Sequence, residues 1–446
     1  MPEPALAVSR LSPTDGITYD YPLQPWVVCF AASLFFFFEF IQLNLFNALS
    51  PALMQAFHIS ATRLGHLSAN YFYANVIFLF PAGMLLDRIS TRKVIILAMA
   101  ASVICTFGFA ASTALWQADV CRFVTGIAGS FCLLSNVRLA SRWFEPRRMA
   151  LIIGLIVTFA MLGGMIAQTP FTLLTDAVGW RMTILIDAAF GLVMLFLIVF
   201  FVRDYPPGQG SIFQDHQAQL HGLGLWRALL QTIKNRQNWF GGLYTSLMNL
   251  PIFLLGAMWG ILYLVQIRGL SRHDASLVTS MLFIGTIVGS PVIGWLSDRI
   301  KRRRMPMVLG AIVSLILILL LMYEPNLSFL SLLLIFLGLG FITSTQIISY
   351  PLIAESNSLA LTGTAEGMAS VLIMAGGFTQ PFFARLMEWR WGHHIVNHVP
   401  IFSPSDYQLA LAIMPIAFVL ALLIAYFVRE THCISYRERQ NAKPSD

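Results

Sequence analysis

Apolar runs of about 20 residues, each long enough to cross a hydrocarbon core at a rise of 1.5 Å per helical residue, recur along nearly the whole chain. Of its 446 residues 57% are hydrophobic and only 11% charged, and the mean hydropathy is +0.73. That balance excludes an ordinary soluble domain and places most of the chain in lipid.

Reading between helix breakers and charge clusters gives twelve helices, near residues 26-50, 64-86, 93-115, 117-141, 147-173, 180-202, 238-266, 274-297, 305-323, 328-353, 362-387 and 407-428. The one long polar interruption, 203-237, separates a first bundle, 26-202, from a second, 238-428, with tails 1-25 and 429-446. The net charge of +7 comes from short basic clusters between apolar runs, so it signals topology and not nucleic-acid binding. The loops around Arg88, Arg92 and Lys93, then Arg138, Arg142, Arg147 and Arg148, alternate with loops sparse in cations. This alternation puts both termini in the cytoplasm. The five cysteines show no CxxC pattern, and His393, His394 and His398 read as an ordinary polar loop, so no metal and no cofactor is expected.

Gly83, Asp87 and Arg88 recur as Gly294, Asp298 and Arg299, each pair 211 positions apart, which implies a duplicated, pseudo-symmetric bundle. The run Gly83-Met-Leu-Leu-Asp87-Arg88-Ile-Ser-Thr-Arg92-Lys93 resembles the loop between helices two and three of the major facilitator superfamily. That family usually has glycine where Ser90 or Thr91 stands here. Arg122-Phe-Val-Thr-Gly126-Ile-Ala-Gly129 is similar to the family's arginine-and-glycine motif, and Arg142 to Arg148 to its fourth loop. The resemblance implies an all-α membrane protein of twelve helices in two six-helix bundles. It also implies a conformational latch at the membrane edge made by Gly83, Asp87, Arg88 and Arg92 with Arg142, and by Gly294, Asp298 and Arg299. In this reading Gly83 brings helix two close to a neighbour, and Asp87 accepts from a facing helix end and pairs with Arg142. Topology alone is the plainer account of Arg92 and Lys93. The runs Phe38 to Leu53, Tyr71 to Tyr73 and Tyr426 to Thr431 look like a bacterial group that includes amino-acid carriers of intracellular pathogens and relatives of lysosomal dipeptide carriers.

Charges inside the spans are the strongest functional pointers, because an intramembrane ion is costly unless paired, protonated or hydrated. Glu39 lies about 20 Å along the first helix, near the bilayer centre, with Gln42, Asn47 and Ser50 on its arc. It is a candidate proton carrier or a partner for a substrate ammonium; a carboxylate bonded within the bundle is the structural alternative. Arg122 lies about 8 Å inside the fourth helix on a face shared with Gly126 and Gly129, as a substrate anchor or a control on the proton site, against a snorkelling arginine. Asp187 reads as an interfacial acid. Tyr71, Tyr244, Asn249, Gln346, Tyr350 and Gln380 are candidate cavity linings, each equally readable as a packing residue. Pro251, Gly256 and Gly260, and Tyr350-Pro351, let the seventh and tenth helices bend.

The expected function is secondary transport by alternating access, as a monomer in a bacterial inner membrane, with proton-coupled uptake of an amino acid or short peptide complementary to Glu39 and Arg122. An organic-anion carrier, or an exporter, of the same fold explains the same residues. No GxxxxGK[ST] signature supplies ATP chemistry. An embedded enzyme lacks a paired aspartate, a Ser/His couple or an HExxH helix; a non-transporting membrane sensor is the alternative from another class.

Overall fold

In the computed structural model, which describes residues 23–144, 148–207, 225–357, 359–392, 394–396 and 399–434, twelve helices are long and apolar enough to span a membrane. They are α1 (Gln24–Asn44), α2 (Ala61–Leu86), α3 (Thr91–Ala111), α4 (Leu115–Trp143), α5 (Ile152–Val178), α6 (Trp180–Phe201), α7 (Arg236–Arg268), α8 (Arg272–Ile300), α9 (Arg304–Tyr323), α10 (Phe329–Ser356), α11 (Thr364–Trp389) and α12 (Pro404–Phe427). A short hairpin, Ile395–Val396 with Val399–Pro400, joins the last two. Past Leu45, α1 continues as a second helical segment, Phe46–Phe57, seven residues beyond the expected end. Pro51 lies within that segment, and a left-handed His58 stops it.

Packing repeats after six helices. The pairs α1–α5, α2–α4 and α3–α6 in the first half recur as α7–α11, α8–α10 and α9–α12 in the second. The halves meet along α2–α11 and α5–α8. At corresponding crossings only glycine fits: a Cβ on Gly126 would lie 2.2 Å from the carbonyl oxygen of Tyr71, and one on Gly340 2.0 Å from that of Leu282.

The bend expected in α7 takes the form of a π-helical segment, Ile252–Trp259, directly after Pro251. Proline lacks an N–H, and the wider winding re-satisfies the ladder beyond it. In this stretch the carbonyls of Phe253, Leu255, Gly256 and Met258 accept from the side chains of Gln380, Asn47, Gln168 and Ser50. The bend expected in α10 is a 3₁₀ stretch, Ser344–Ile348.

The bonds from Asn47, Gln168 and Ser50 cross between the halves and belong to a seal on the face remote from the connection at residues 203–235; the face on the connection's own side is here termed the linker face. Asn47 donates to Leu255 O at 3.0 Å and accepts from Ile261 N at 3.0 Å. Arg272 pairs with Asp176 at 2.8 Å and donates to Ala48 O, and Glu388 accepts from Thr62 N. At the linker face the described glycines make no such contact between the halves. The glycines near those ends of α2, α5, α8 and α11, namely Gly83, Gly154, Gly294 and Gly367, would each present a Cβ to open space. The close approach expected at Gly83 is therefore not made among the described residues, and none is made at its repeat Gly294.

Asn47→Ala removes the side chain that bridges both halves, taking one donor from Leu255 O, which keeps the Gly260 N–H, and the side-chain acceptor from Ile261 N, a cost of about 1 kcal/mol. The expected result is a several-fold faster reaction of single cysteines placed on the remote ends of α1 and α7 with a membrane-impermeant maleimide. Unchanged rates would show that Asn47 does not hold this seal.

Candidate functional site

The polar groups buried in the first half converge between α1, α2, α3, α4 and α6. Glu39 is 1% exposed; its Oε1 accepts from Ser102 of α3, the Tyr71 hydroxyl lies beside it, and its Oε2 has no partner. One turn on, Gln42 donates to Asp187 of α6 at 2.5 Å and accepts from Thr106 of α3 at 3.3 Å. Arg122 is 3% exposed; it donates to Gln42 O at 2.8 Å and to Ser68 O at 3.4 Å. Its guanidinium lies 4.6 Å from the ring centre of Phe46 and 5.2 Å from that of Tyr71. Gly129 leaves the room that the Tyr71 hydroxyl occupies. A crevice bounded by Gln42, Phe46, Cys105, Cys121 and Arg122 has space for about one water molecule.

Glu39, Gln42, Tyr71 and Arg122 are thus brought together, inside one half and not on the surface between the halves. Asp187, expected at the interface, is 2% exposed and belongs to the same network. A solute of several carbon atoms does not fit this crevice beside Arg122.

The other candidates are dispersed. Asn47 is spent on the seal. Tyr244 is fully buried and donates to Met307 O at 2.8 Å, and Gln380 is fully buried against Phe253 O. Asn249 and Tyr350 are half-buried, and Gln346 is buried. The side-chain oxygens of Asn249 and Gln346 have no partner. Glu366 of α11, beside Tyr350, is a second half's intramembrane acid that sequence reasoning missed, since it stands close to the expected start of its helix.

At the linker face each half carries a charge cluster. The side chains of Asp87 and Arg88 lie outside the described residues. Among the described residues Arg142 pairs with Asp204, at 3.2 Å, and Asp204 also accepts from Ser90 Oγ and from Arg92 N at the start of α3. Arg92 donates to Val199 O, so it ties α3 to α6 besides adding to topology. In the second half Arg303, 211 positions after Arg92, pairs with Asp298 at 2.6 Å and Glu355 at 2.7 Å. Arg299 stacks on Trp295. Glu430 accepts from Arg303 N and Arg304 N at the start of α9. Burial opposes ionisation of Glu430, but backbone donors outweigh it and hold the carboxyl below its ordinary value. Its stabilisation is therefore present above the unfolded carboxyl's titration and is lost as pH falls through the depressed folded value. Asp204 and Glu430 were legible as a repeat: Phe-Phe-Val-Arg-Asp ends at Asp204 and Tyr-Phe-Val-Arg-Glu at Glu430.

Comparison with known proteins agrees with this architecture. The chain is 24% identical over 382 residues to a probable sulfoacetate transporter of Cupriavidus necator, covering 80% of this chain and 85% of that protein. It is 25% identical to a gentisate transporter of Corynebacterium glutamicum, covering 80% of each. It is 24% identical to a membrane sensor protein of Escherichia coli, covering 79% and 83%. Among solved structures, a bacterial homologue of the human lysosomal transporter Spinster in an inward-facing conformation superposes with a TM-score of 0.71 at 15% identity, covering 95% of this chain and 99% of that one. The Major Facilitator Superfamily model matches residues 28–259 and 242–444. Matched through both halves, and built as twelve spans that repeat after six, the chain belongs to the major facilitator superfamily of membrane transporters.

Proposed function

We propose that this chain is a secondary carrier that takes up a small organic anion together with protons, by rocking its two halves about the passage between them, with the linker face and both tails in the cytoplasm of a bacterium. The observation that carries the proton part is the Glu39 carboxyl, walled off from water inside the first half with one oxygen unpartnered and Arg122 close by. The solute class rests on the relatives: sulfoacetate and gentisate are both organic acids. They move the weight from the amino acid or peptide expected from sequence to the organic anion, with Arg122 acting inside the proton network.

The test is uptake by proteoliposomes across a panel of carboxylates and amino acids, with and without an imposed pH gradient. Glu39→Gln is expected to abolish gradient-driven accumulation and spare solute exchange. Uphill accumulation by Glu39→Gln with the wild-type pH dependence would overturn the assignment.

The sensor among the relatives favours a second reading, in which the same bundle binds a solute without moving it. Saturable binding with no vesicle uptake of the bound compound would establish it.

The latch proposal extends to both charge clusters. When the linker face closes, Asp87 meets a facing helix end, and Asp204 holds Arg142 in place for it. Asp87→Asn then raises the linker-face-open population several-fold, for a loss of about 1 kcal/mol or more, and leaves solute preference unchanged. Altered preference with unchanged cysteine labelling on the linker-face ends of α4 and α10 would contradict this.

A further inference from the structure

The interior of the first half holds three ionisable charges among the described residues: Glu39 on α1, Arg122 on α4 and Asp187 on α6, each no more than 3% exposed. Two acids stand against one base. With all three ionised, the network carries one uncompensated negative charge in a buried region with room for about one water molecule, and an unpaired buried ion costs several kcal/mol even after relaxation. One proton on either acid removes that cost.

The hydrogen bonds show where such a proton fits. Each acid has one oxygen that accepts a hydrogen bond and one that accepts none: Glu39 Oε1 accepts from Ser102, with the Tyr71 hydroxyl beside the carboxyl, and Oε2 has no bonded partner, while Asp187 Oδ2 accepts from Gln42 and Oδ1 has none. A bare carboxyl oxygen in a dry site is the place where an added hydrogen displaces no existing bond. Gln42 joins the two acids. It follows Glu39 by one helical turn, its amide donates to Asp187 at 2.5 Å, its side-chain carbonyl accepts from Thr106, and its main-chain carbonyl accepts from Arg122.

The groups around Asp187 leave the pairing clear. From α1 come Gln42 and, one turn away, Glu39; from α3, Thr106, with Ser102 on Glu39 and Cys105 in the neighbouring crevice. Arg122 and Cys121 of α4 line that crevice, and Tyr71 of α2 and Cys132 of α4 lie on the Glu39 side. The nearest charge on α6, Arg181, is committed to the carbonyls of Ala110 and Ser112. On α5, Asp176 is paired to Arg272, and His58 ends the segment that follows α1.

We infer that Glu39 and Asp187 share one exchangeable proton, which makes Asp187 a second proton-carrying residue of this carrier. The inference rests on the proton-coupled reading above and gives it a direction. The loaded network is neutral and the unloaded one carries a net negative charge, so a solute anion entering the passage is least repelled when the proton is already in place. This favours movement of proton and anion in the same sense.

The test is infrared difference spectroscopy of the purified full chain in lipid nanodiscs, following the protonated-carboxyl stretch as pH is raised. The wild type is expected to show a titrating component that disappears in Glu39→Gln and, equally, in Asp187→Asn, because one remaining acid and Arg122 form a neutral pair that needs no proton. Asp187→Glu keeps both acids and is expected to keep the component at a shifted titration, which also covers the case where the asparagine variant does not fold. A wild type without such a component, or one that persists with unchanged titration in Asp187→Asn or is unshifted in Asp187→Glu, would overturn the shared proton. Wild-type uptake indifferent to a pH gradient would instead overturn the proton-coupled reading, whatever the spectra show.

Discussion

Arg122→Ala is expected to reduce transport by about two orders of magnitude or more, with a loss of thermal stability. The substitution takes a buried cation from beside Glu39 and removes the side-chain donor to the helical carbonyl oxygens of Gln42 and Ser68. Removing one partner of a buried charged network costs about 3–5 kcal/mol, because the remaining charge is left uncompensated in a dry site. It also empties the space between the rings of Phe46 and Tyr71, each within 6 Å of the guanidinium. Arg122→Lys keeps the charge but not the planar fork that reaches two carbonyls on different helices, so it should restore only part of the activity. Initial-rate uptake in proteoliposomes, normalised to folded protein, decides the point. Wild-type rates in Arg122→Ala would show that Arg122 does no more than fill space.

Gly340→Val is expected to leave little folded protein. A Cβ at this position would stand 2.0 Å from the carbonyl oxygen of Leu282, and the crossing is reinforced by Gly285, whose own Cβ would lie 2.2 Å from Leu337 O. Backbone against backbone offers no rotamer that could give way, so α8 and α10 must separate, at a cost above about 3 kcal/mol. Gly83→Ala is the control: its Cβ meets open space, and thermal stability should stay within about 0.5 kcal/mol of wild type. Melting curves of the two variants in detergent test both statements. A Gly340→Val protein that melts with the wild type would mean that this crossing is looser than described.

The spans were readable because a bilayer demands long apolar runs, and every expected helix has its counterpart within five residues at each end except at the end of α1. The duplication was readable from Gly83, Asp87 and Arg88 because loop signatures keep their spacing through an internal repeat. Side-chain direction was not. Asn47 shares an arc with Glu39 and Gln42, but continued helix beyond Leu45 carries it to the junction of the halves, where it bonds α7. Asp187 was undervalued because distance from Arg181 along one helix says nothing of Gln42 on another. Arg142 was expected to meet Asp87, whose side chain lies outside the described residues; among those residues it pairs with Asp204, just past the end of α6, which no spacing rule links to α4. Tertiary partners of charged residues depend on helix order within each half, and periodicity carries no record of that order.

The most direct test of the account is simultaneous recording of proton and solute movement in proteoliposomes containing the wild-type chain and a carboxylate found active in the uptake panel. The account predicts that a downhill gradient of the carboxylate alkalinises the external medium at its source side in proportion to solute entry, and that Glu39→Gln moves solute in exchange without that pH change. Solute entry with no accompanying proton movement in the wild type, or solute binding with no entry at all, would contradict it.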